Sequence, residues 1–184
     1  ISEKIQNPFF SVKVLINIGA IFIAKNDYNK AIQYGLQAKE VSVRLKDNES
    51  LQGEINLALG VIYGLRTECY NESLKYLLLA AENFEKAGSK LDKIDCLSNI
   101  GGLYGKMDSL RKSNEYSFQA LSLSDEIHMP DIMITCLINI GENYSGLKMP
   151  DSAIFFLNRA IKMAQSANRI DRLYKIYYNL SYAY

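Results

Sequence analysis

The residue types that most often perform acid–base or nucleophilic chemistry are scarce in this sequence of 184 residues. Its only histidine, His128, lies in a segment rich in helix breakers, which favours a solvated turn residue over a catalytic base. Without a second histidine or a clustered thiol, neither a Cys–His nor a Ser–His–Asp arrangement can form. The acidic pairs Asp92/Asp95 and Asp125/Glu126 are interpreted as solvated carboxylates or helix-end charges. We therefore predict that the protein is not an enzyme.

The cysteines Cys69, Cys96 and Cys136 are odd in number and lack the close spacing of a zinc or redox motif. Gly101, Gly102 and Gly105 fall inside a predicted helix, whereas a phosphate-binding loop must precede one. We predict no metal and no cofactor. Free thiols slightly favour a reducing, cytoplasmic compartment, and the alternative is an extracytoplasmic sensor domain of a membrane protein.

The charge balance argues against nucleic acid and anionic membrane surfaces as partners, because 21 basic and 20 acidic residues leave a formal charge of +1. The longest apolar run, residues 74–81, is far shorter than the roughly 20 residues that span a bilayer. We therefore expect a protein or peptide partner, with no nucleic acid and no membrane bound through this segment. The sequence begins at Ile1 rather than at a methionine, which predicts a piece of a longer protein.

An internal repeat of about 40 residues dominates the sequence. It is visible in the segments NIGAIF, ALGVIY, NIGGLY, NIGENY and NLSYAY, which begin at Asn17, Ala58, Asn99, Asn139 and Asn179. A small residue recurs at Gly19, Gly60, Gly101, Gly141 and Ser181. An aromatic residue follows each of them three positions later, at Phe22, Tyr63, Tyr104, Tyr144 and Tyr184.

A second set of small residues follows each glycine and predicts a second, closely packed helix. Its members are Ala31, Ser73, Ser113 and Ala153, with Ala38, Ala80, Ala120 and Ala160 seven residues further on. Glycine in a helix interior costs roughly 0.5–1 kcal/mol relative to alanine, so its recurrence needs a packing reason. Small residues at matched places on two helices allow a close antiparallel crossing.

Breakers and capping residues divide the chain into hairpins. Turns within hairpins are predicted at residues 25–27, 66–68, 106–109 and 148–151, and turns between hairpins at 47–50, 88–89, 128–131 and 167–168. The predicted organisation is one array over residues 1–184. Its repeats occupy residues 9–48, 49–89, 90–129 and 130–169, followed by the first helix of a truncated fifth repeat at 170–184.

These residues resemble the tetratricopeptide repeat family, whose motif couples leucine, glycine and tyrosine on a first helix with two alanines on a second. The match is carried by Leu15, Ile18, Gly19 and Phe22 with Tyr28, Ala31 and Ala38, and by Leu97, Ile100, Gly101 and Tyr104 with Leu110, Ser113 and Ala120. The period exceeds the usual 34 residues and the terminal proline is absent, so the chain is similar to the long-period variant found in bacterial sensory and regulatory proteins. The resemblance implies an all-α, right-handed α-solenoid of antiparallel helical hairpins. HEAT and armadillo repeats have a similar period but do not predict the pairing of glycine with alanine.

In the resembled family the first helix of each repeat lines a concave groove that binds an extended segment. The resemblance therefore implies these groove residues here: Ile16, Asn17, Ala20, Leu57, Val61, Asn99, Asn139, Glu142, Tyr178, Asn179 and Tyr182. Asn17, Asn99, Asn139 and Asn179 share one repeat position, and their amides could pair with the backbone of a bound peptide. Alternatively, each asparagine bonds a neighbouring helix or is simply tolerated at a crowded contact between helices. Lys13, Lys106 and Lys175 are too scattered to form a carboxylate clamp.

Two functional hypotheses follow from this organisation. The first is a non-catalytic peptide- or protein-binding scaffold, the sensory or adaptor segment of a larger bacterial signalling or transcription-regulatory protein. The second is a self-association module that forms a homodimer through the C-terminal end. This second hypothesis is based on the tyrosines that crowd the last eleven residues, Tyr174, Tyr177, Tyr178, Tyr182 and Tyr184.

Overall fold

Helices make up most of the chain in the computed structural model, which describes residues 7–45 and 48–184. The α-helices in this part are α1 (Pro8–Ala24), α2 (Tyr28–Ser42), α3 (Glu49–Tyr63), α4 (Tyr70–Lys86), α5 (Lys90–Lys106), α6 (Leu110–Glu126), α7 (Pro130–Gly146), α8 (Pro150–Ser166) and α9 (Ile170–Ala183). The second hairpin has one extra residue, because Ser73 follows Gly60 after 13 positions whereas the spacing in the other hairpins is 12. A short 3-10 helix at Thr67–Cys69 lies in this longer turn. No strand occurs in the described residues, and the all-α prediction is confirmed.

The helices begin where the sequence offers capping groups. The side chains of Asn7, Asp27 and Asn48 each accept a hydrogen bond from a backbone N–H in the first turn of the following helix. Pro130 and Pro150 occupy the first positions of α7 and α8, where a missing N–H has no cost. The predicted turn residue Asp47 lies outside the described residues.

Most helices end in the same way, with one residue in the left-handed region. Positive φ angles occur at Asn26, Asp108 and Lys148 within hairpins and at Gly88, His128 and Asn168 between them. At His128, where φ is 54°, the N–H of the next residue bonds back to the carbonyl oxygen of Ser124 at 2.9 Å. This geometry satisfies carbonyl groups at the end of α6. The only histidine is therefore an exposed residue of a helix-ending turn.

The chain divides into two compact units, residues 1–96 and 97–184, and the division falls within α5. In unit 1, α1 packs on α2, α2 on α3, and α3 on α4. One core cluster of this unit contains Val12, Ala38, Leu51, Ile55 and Leu59. A second cluster contains Ala80, Phe84 and Cys96.

Unit 2 is built from α6, α7, α8 and α9 together with the last part of α5. Here α7 contacts α6, α8 and α9, so it is the central helix of this unit. Its core cluster consists of Ile134, Leu137, Ile138, Leu157, Ala160, Ala164, Ile176 and Leu180. Each unit therefore has its own hydrophobic core.

A pair of stacked aromatic rings joins the two helices of every hairpin. The ring centroids are 5.4 Å apart for Phe22–Tyr34, 5.6 Å for Tyr63–Tyr76, 5.5 Å for Tyr104–Tyr116 and 5.5 Å for Tyr144–Phe156. The ring planes lie within 18° of parallel in all four pairs. One ring of each pair is the recurring aromatic residue of the first helix. Its partner lies three residues after the small residue of the second helix.

At Gly60 and Gly141 the hairpin leaves no room for a side chain. A Cβ atom added to Gly60 would lie 2.7 Å from Cγ of Leu77 and 3.1 Å from its backbone nitrogen. A Cβ atom added to Gly141 would lie 2.6 Å from Cγ of Leu157. In these two hairpins a leucine of the second helix occupies the space in front of the glycine.

Gly19 and Gly101 lie at the same repeat position but have more space. The nearest atom to an added Cβ would be the carbonyl oxygen of Ala31, at 3.5 Å from Gly19, and a carbonyl oxygen at 3.4 Å from Gly101. The position occupied by leucine in the other two hairpins is Gly35 in the first and Ser117 in the third. The steric demand on the glycine therefore depends on the residue that faces it.

The small residues of the second helices are buried completely. Relative exposure is 0% at Ala31, Ala38, Ala80, Ala120, Ala153 and Ala160. Ser73 is also buried, and its hydroxyl donates a hydrogen bond of 2.7 Å to the carbonyl oxygen of Gly60. This bond ties the second helix of the hairpin to the glycine position of the first.

We predict opposite effects of Gly60→Ala and Gly19→Ala on the free energy of unfolding, measured by urea denaturation. Overpacking against Leu77 costs about 1–3 kcal/mol and outweighs the gain in helix propensity, so Gly60→Ala should destabilise the protein by about 1–2 kcal/mol. Gly19→Ala meets only ordinary contacts and should stabilise it by up to about 1 kcal/mol. Equal effects of the two substitutions would show that the contact with Leu77 does not limit the packing.

Candidate functional site

In α1 and α5 the recurring asparagine lies on the side of the helix that faces away from its hairpin partner. Residues two positions apart in an α-helix are separated by about 200° of rotation. A residue two positions before the buried glycine therefore points to nearly the opposite side of the helix. Gly19, Gly60, Gly101 and Gly141 are buried. Asn17 and Asn99, by contrast, are exposed. We refer to the side of α1, α3, α5, α7 and α9 that carries this repeat position as the first-helix face.

In unit 1 an ion pair joins the first-helix faces of two neighbouring repeats. Lys13 of α1 and Glu54 of α3 occupy the same repeat position, and the lysine ammonium group contacts the glutamate carboxylate. Both side chains are more than a third exposed, so the pair contributes less than about 1 kcal/mol to stability. The pair uses two charges of this face that could otherwise bind a ligand.

The remaining candidates of unit 1 form a mainly apolar strip. Ile16 and Leu57 are half-buried against the core clusters. Val61 is also half-buried, whereas Ala20 is exposed beside Ile21, which has 54% of its surface exposed. This strip can supply van der Waals contacts to a ligand, and Asn17 can supply an amide.

In unit 2 the first-helix face is polar and aromatic. Glu142 of α7 lies 4.0 Å from the ammonium group of Lys175 on α9, and both are exposed. The hydroxyls of Tyr178 and Tyr182 are 2.9 Å apart and their rings meet edge to face, with centroids 5.0 Å apart. Asn139 is half-buried. The structure therefore brings α7 and α9 candidates together as one surface of amide, charged and phenolic groups.

Asn179 differs from the other asparagines at the same repeat position. Only 8% of its surface is exposed, and its amide nitrogen is buried without a hydrogen-bond partner among the described residues. In this conformation the amide nitrogen is not presented to a ligand. The four equivalent asparagines thus range from exposed Asn17 and Asn99, through half-buried Asn139, to buried Asn179.

Two further asparagines, which the repeat pattern did not indicate, form side-chain hydrogen bonds to a neighbouring helix. Asn143 of α7 donates to the hydroxyl oxygen of Ser113 at 2.8 Å and to the side-chain oxygen of Asn114 at 2.9 Å, both on α6. Asn56 of α3 donates to the side-chain oxygen of Asn83 on α4 at 2.9 Å. The sequence feature that could have identified Asn143 and Asn56 is a polar residue on the otherwise apolar stripe of a helix.

Burial raises the pKa values of two of the three thiols. Burial, with a smaller contribution from Asp95 and Asp92, raises the pKa of Cys96 to about 12. Burial also raises the pKa of Cys136 to about 11.

No group of three or more histidine, cysteine, aspartate or glutamate residues that could hold a metal ion occurs in residues 7–45 and 48–184. Within the same residues, no helix combines the length and apolar character needed to cross a membrane.

Two parts of the chain match the model of a known repeat family. The family model of the tetratricopeptide repeat matches residues 12–42 and 134–166, which correspond to parts of the hairpins α1–α2 and α7–α8. Tetratricopeptide repeat protein 29 of Trypanosoma brucei brucei is 22% identical over 189 residues. That alignment covers 99% of this chain but only 38% of the Trypanosoma protein.

Solved structures show the same fold at low sequence identity. A signal transduction ATPase with numerous domains (STAND) from Pyrococcus horikoshii, which has a tetratricopeptide repeat sensor, is 18% identical with a TM-score of 0.88 over 99% of this chain and 28% of its own. A Rap protein complexed with competence and sporulation factor is 13% identical with a TM-score of 0.79 over 94% of this chain and 47% of its own. The fold is that of a tetratricopeptide-like helical solenoid, and the chain spans less than half of each of these relatives.

We predict that only Cys69 reacts rapidly with Ellman's reagent in the folded protein at about pH 8. Cys69 is half-buried, whereas the pKa values of Cys96 and Cys136 leave almost no thiolate at this pH. All three thiols should react after unfolding in urea. Cys69→Ser should abolish the rapid phase, and a rapid phase that persists in this variant would contradict the burial of the other two thiols.

Proposed function

Because two hairpins match the tetratricopeptide repeat and the fold is a tetratricopeptide-like solenoid, we propose that the chain is a non-catalytic scaffold that binds an extended segment of a partner protein on its first-helix face. The observation that carries this proposal is the contrast between two rows of residues on the same helices. The glycine row is buried against the hairpin partner, while Asn17 and Asn99 of the asparagine row remain at the surface. An asparagine amide offers one acceptor and two donors, which match the N–H and C=O groups of an extended peptide.

Each unit offers a ligand a different chemistry. The face of unit 1 is apolar around Ala20, Ile21 and Val61, and its pair Lys13–Glu54 is internally neutralised. We therefore expect the segment bound there to carry apolar side chains. The face of unit 2, with Glu142 and Lys175, suits a segment with polar side chains. A highly acidic tail fits neither unit, because neither face groups several cations.

We further propose that the chain is the sensory or adaptor part of a larger signalling protein, and that this protein is bacterial. The sensory or adaptor role is supported by two structural relatives, whereas the bacterial origin rests only on the resemblance of the long repeat period to bacterial sensory and regulatory proteins. In the STAND protein the tetratricopeptide repeats are described as a sensor. The Rap protein was crystallised with competence and sporulation factor. Both relatives are much longer than the part that this chain matches, which is consistent with a module that works beside other domains.

The asparagine row can be tested by comparing Asn139→Ala with Asn143→Ala, one helical turn apart on α7. A binding peptide is first selected from a displayed random library with the whole chain, and its affinity is measured by fluorescence polarisation. Asn139→Ala should weaken binding about fivefold and change the free energy of unfolding by less than about 1 kcal/mol. Asn143→Ala breaks two buried hydrogen bonds and should lower stability by about 1–3 kcal/mol.

The opposite result for Asn139→Ala and Asn143→Ala would contradict the proposal. If Asn139→Ala lowers stability as much as Asn143→Ala and leaves the peptide affinity unchanged, the asparagines at this repeat position serve packing. Failure of the library to yield any peptide that competes for the first-helix face would also count against the proposal.

A second candidate function, self-association through α9, is supported by its exposed tyrosines. Tyr174 and Tyr184 are 81% and 90% exposed, and Tyr177, Tyr178 and Tyr182 are each more than half exposed. Exposed aromatic area of this extent is typical of an interaction surface.

Sedimentation velocity over a range of protein concentrations tests this second candidate. If α9 is a dimer interface, the chain should show a concentration-dependent dimer, and Tyr174→Ser with Tyr182→Ser should shift it to monomer. The exposed aromatic Phe155→Ser is the matched control, because it lies on α8 and should leave the dimer intact. A monomer at every concentration would exclude self-association and leave the peptide-binding proposal standing.

A further inference from the structure

Unit 2 contains a cleft that is separate from the first-helix face, and we call it the edge cleft. It lies between the first half of α6 and the turn that joins α7 to α8, and its volume is about 330 Å³. Its apolar walls are Phe118, Tyr144, Leu147 and Met149, and its charged groups are Arg111 and Glu115. This volume lies at the lower end of the range for small-molecule sites, so the cleft has room for one large side chain.

The aromatic wall of the edge cleft is held in place by a cluster of rings. Tyr144 stacks on Phe156 with centroids 5.5 Å apart, and Phe118 meets the same ring edge to face at 5.4 Å. Phe155 contacts Phe156 from another side at 5.1 Å. Because rings in such contacts are fixed, the wall needs little ordering when a ligand binds.

In the equivalent cleft of unit 1 a hydrogen bond joins the two sides. There Arg66 donates from its guanidinium group to the side-chain oxygen of Asn29 at 2.8 Å, across a cavity of about 300 Å³ that both residues line. The repeat places Leu147 at the position of Arg66 and Arg111 at the position of Asn29. In unit 2 the equivalent hydrogen bond is therefore absent between Leu147 and Arg111. Arg111 has no hydrogen-bond or ion-pair partner among the described residues.

The charges around the edge cleft favour a single carboxylate on the ligand. The first turn of α6 contains Arg111 and Lys112 and no acidic residue, although the helix dipole already places positive charge there. Lys112 lies over the ring of Tyr104, 5.2 Å from its centroid, so Arg111 is the cation that lines the cleft. Glu115, one turn further along α6, disfavours a ligand with several acidic groups.

We propose that the edge cleft docks a partner protein segment in which a large apolar side chain stands next to one carboxylate. The apolar side chain lies against Phe118, Leu147 and Met149, which are otherwise partly exposed to water. The carboxylate pairs with the guanidinium group of Arg111, whose planar donors suit it. This site does not depend on the first-helix face, so a ligand can occupy it whether or not the asparagine row binds a peptide.

The smallest probe with this chemistry is N-acetyl-L-phenylalanine, which carries one aromatic ring beside one carboxylate. Its binding to the whole chain is followed by two-dimensional amide NMR, with N-acetyl-L-phenylalaninamide as the uncharged control. The acid should cause saturable shifts at the edge cleft with a dissociation constant of about 1–10 mM, and the amide should bind about fivefold more weakly. Absence of saturable shifts at the edge cleft up to about 20 mM acid would overturn the proposal.

Three variants separate the two parts of the site. Arg111→Gln should weaken the acid about fivefold and leave the amide unchanged, whereas Phe118→Ala should weaken both probes. Arg159→Gln is the matched control, because this exposed arginine lies on α8 near Phe155 and does not line the cleft. Equal binding of acid and amide, or equal effects of Arg111→Gln and Arg159→Gln, would refute the role of Arg111. The amide spectrum of each variant verifies that the fold is intact.

Discussion

The close contact between the two helices of each hairpin constrains the rest of the structure. Where a leucine of the second helix faces the first, as at Leu77 and Leu157, only glycine fits opposite it. A stacked ring pair then fixes the rotation of both helices about their axes, since flat rings about 5.5 Å apart tolerate little twist. In α1 and α5, where the glycine side is buried, the asparagine two positions before the glycine is exposed. The candidate binding surface is thus a consequence of hairpin packing.

The turns make this packing repeatable along the chain. A left-handed residue ends most of the described helices. In residues 7–45 and 48–184 it is glycine only at Gly88, and asparagine, aspartate, histidine or lysine occupies the other positions. The Cβ atom makes such a conformation less favourable than for glycine, although asparagine and aspartate adopt it more readily than lysine does. The helix-ending hydrogen bonds and the packing of the following helix hold it. His128 is one of these residues. Histidine is often catalytic, but here it occupies the left-handed position of the turn that ends α6.

The protein uses its polar residues in two distinct ways. Asn143, Asn56 and Ser73 are buried and pair with neighbouring helices, so they specify how helices meet. Asn17, Glu142 and Arg111 lie at the surface, where they can meet another molecule. The buried thiols of Cys96 and Cys136 belong with the core, since burial holds their pKa far above neutral pH. Buried polar groups and thiols therefore contribute to the core, whereas the exposed polar groups form the candidate binding surfaces.

The sequence by itself determined the all-α class and the hairpin pattern, because glycine, aromatic and alanine positions recur at a fixed period and breakers separate them. It also indicated the first-helix face, through the asparagines that share one repeat position. Only the tertiary structure decided that these asparagines differ, with Asn17 exposed and Asn179 buried. It alone also showed the ring partners, the tight contact at Gly60 but not at Gly19, and the edge cleft beside Arg111. The physical reason is that a repeat motif fixes which side of a helix a residue occupies, whereas exposure and steric demand depend on the neighbouring side chains, and those vary from repeat to repeat.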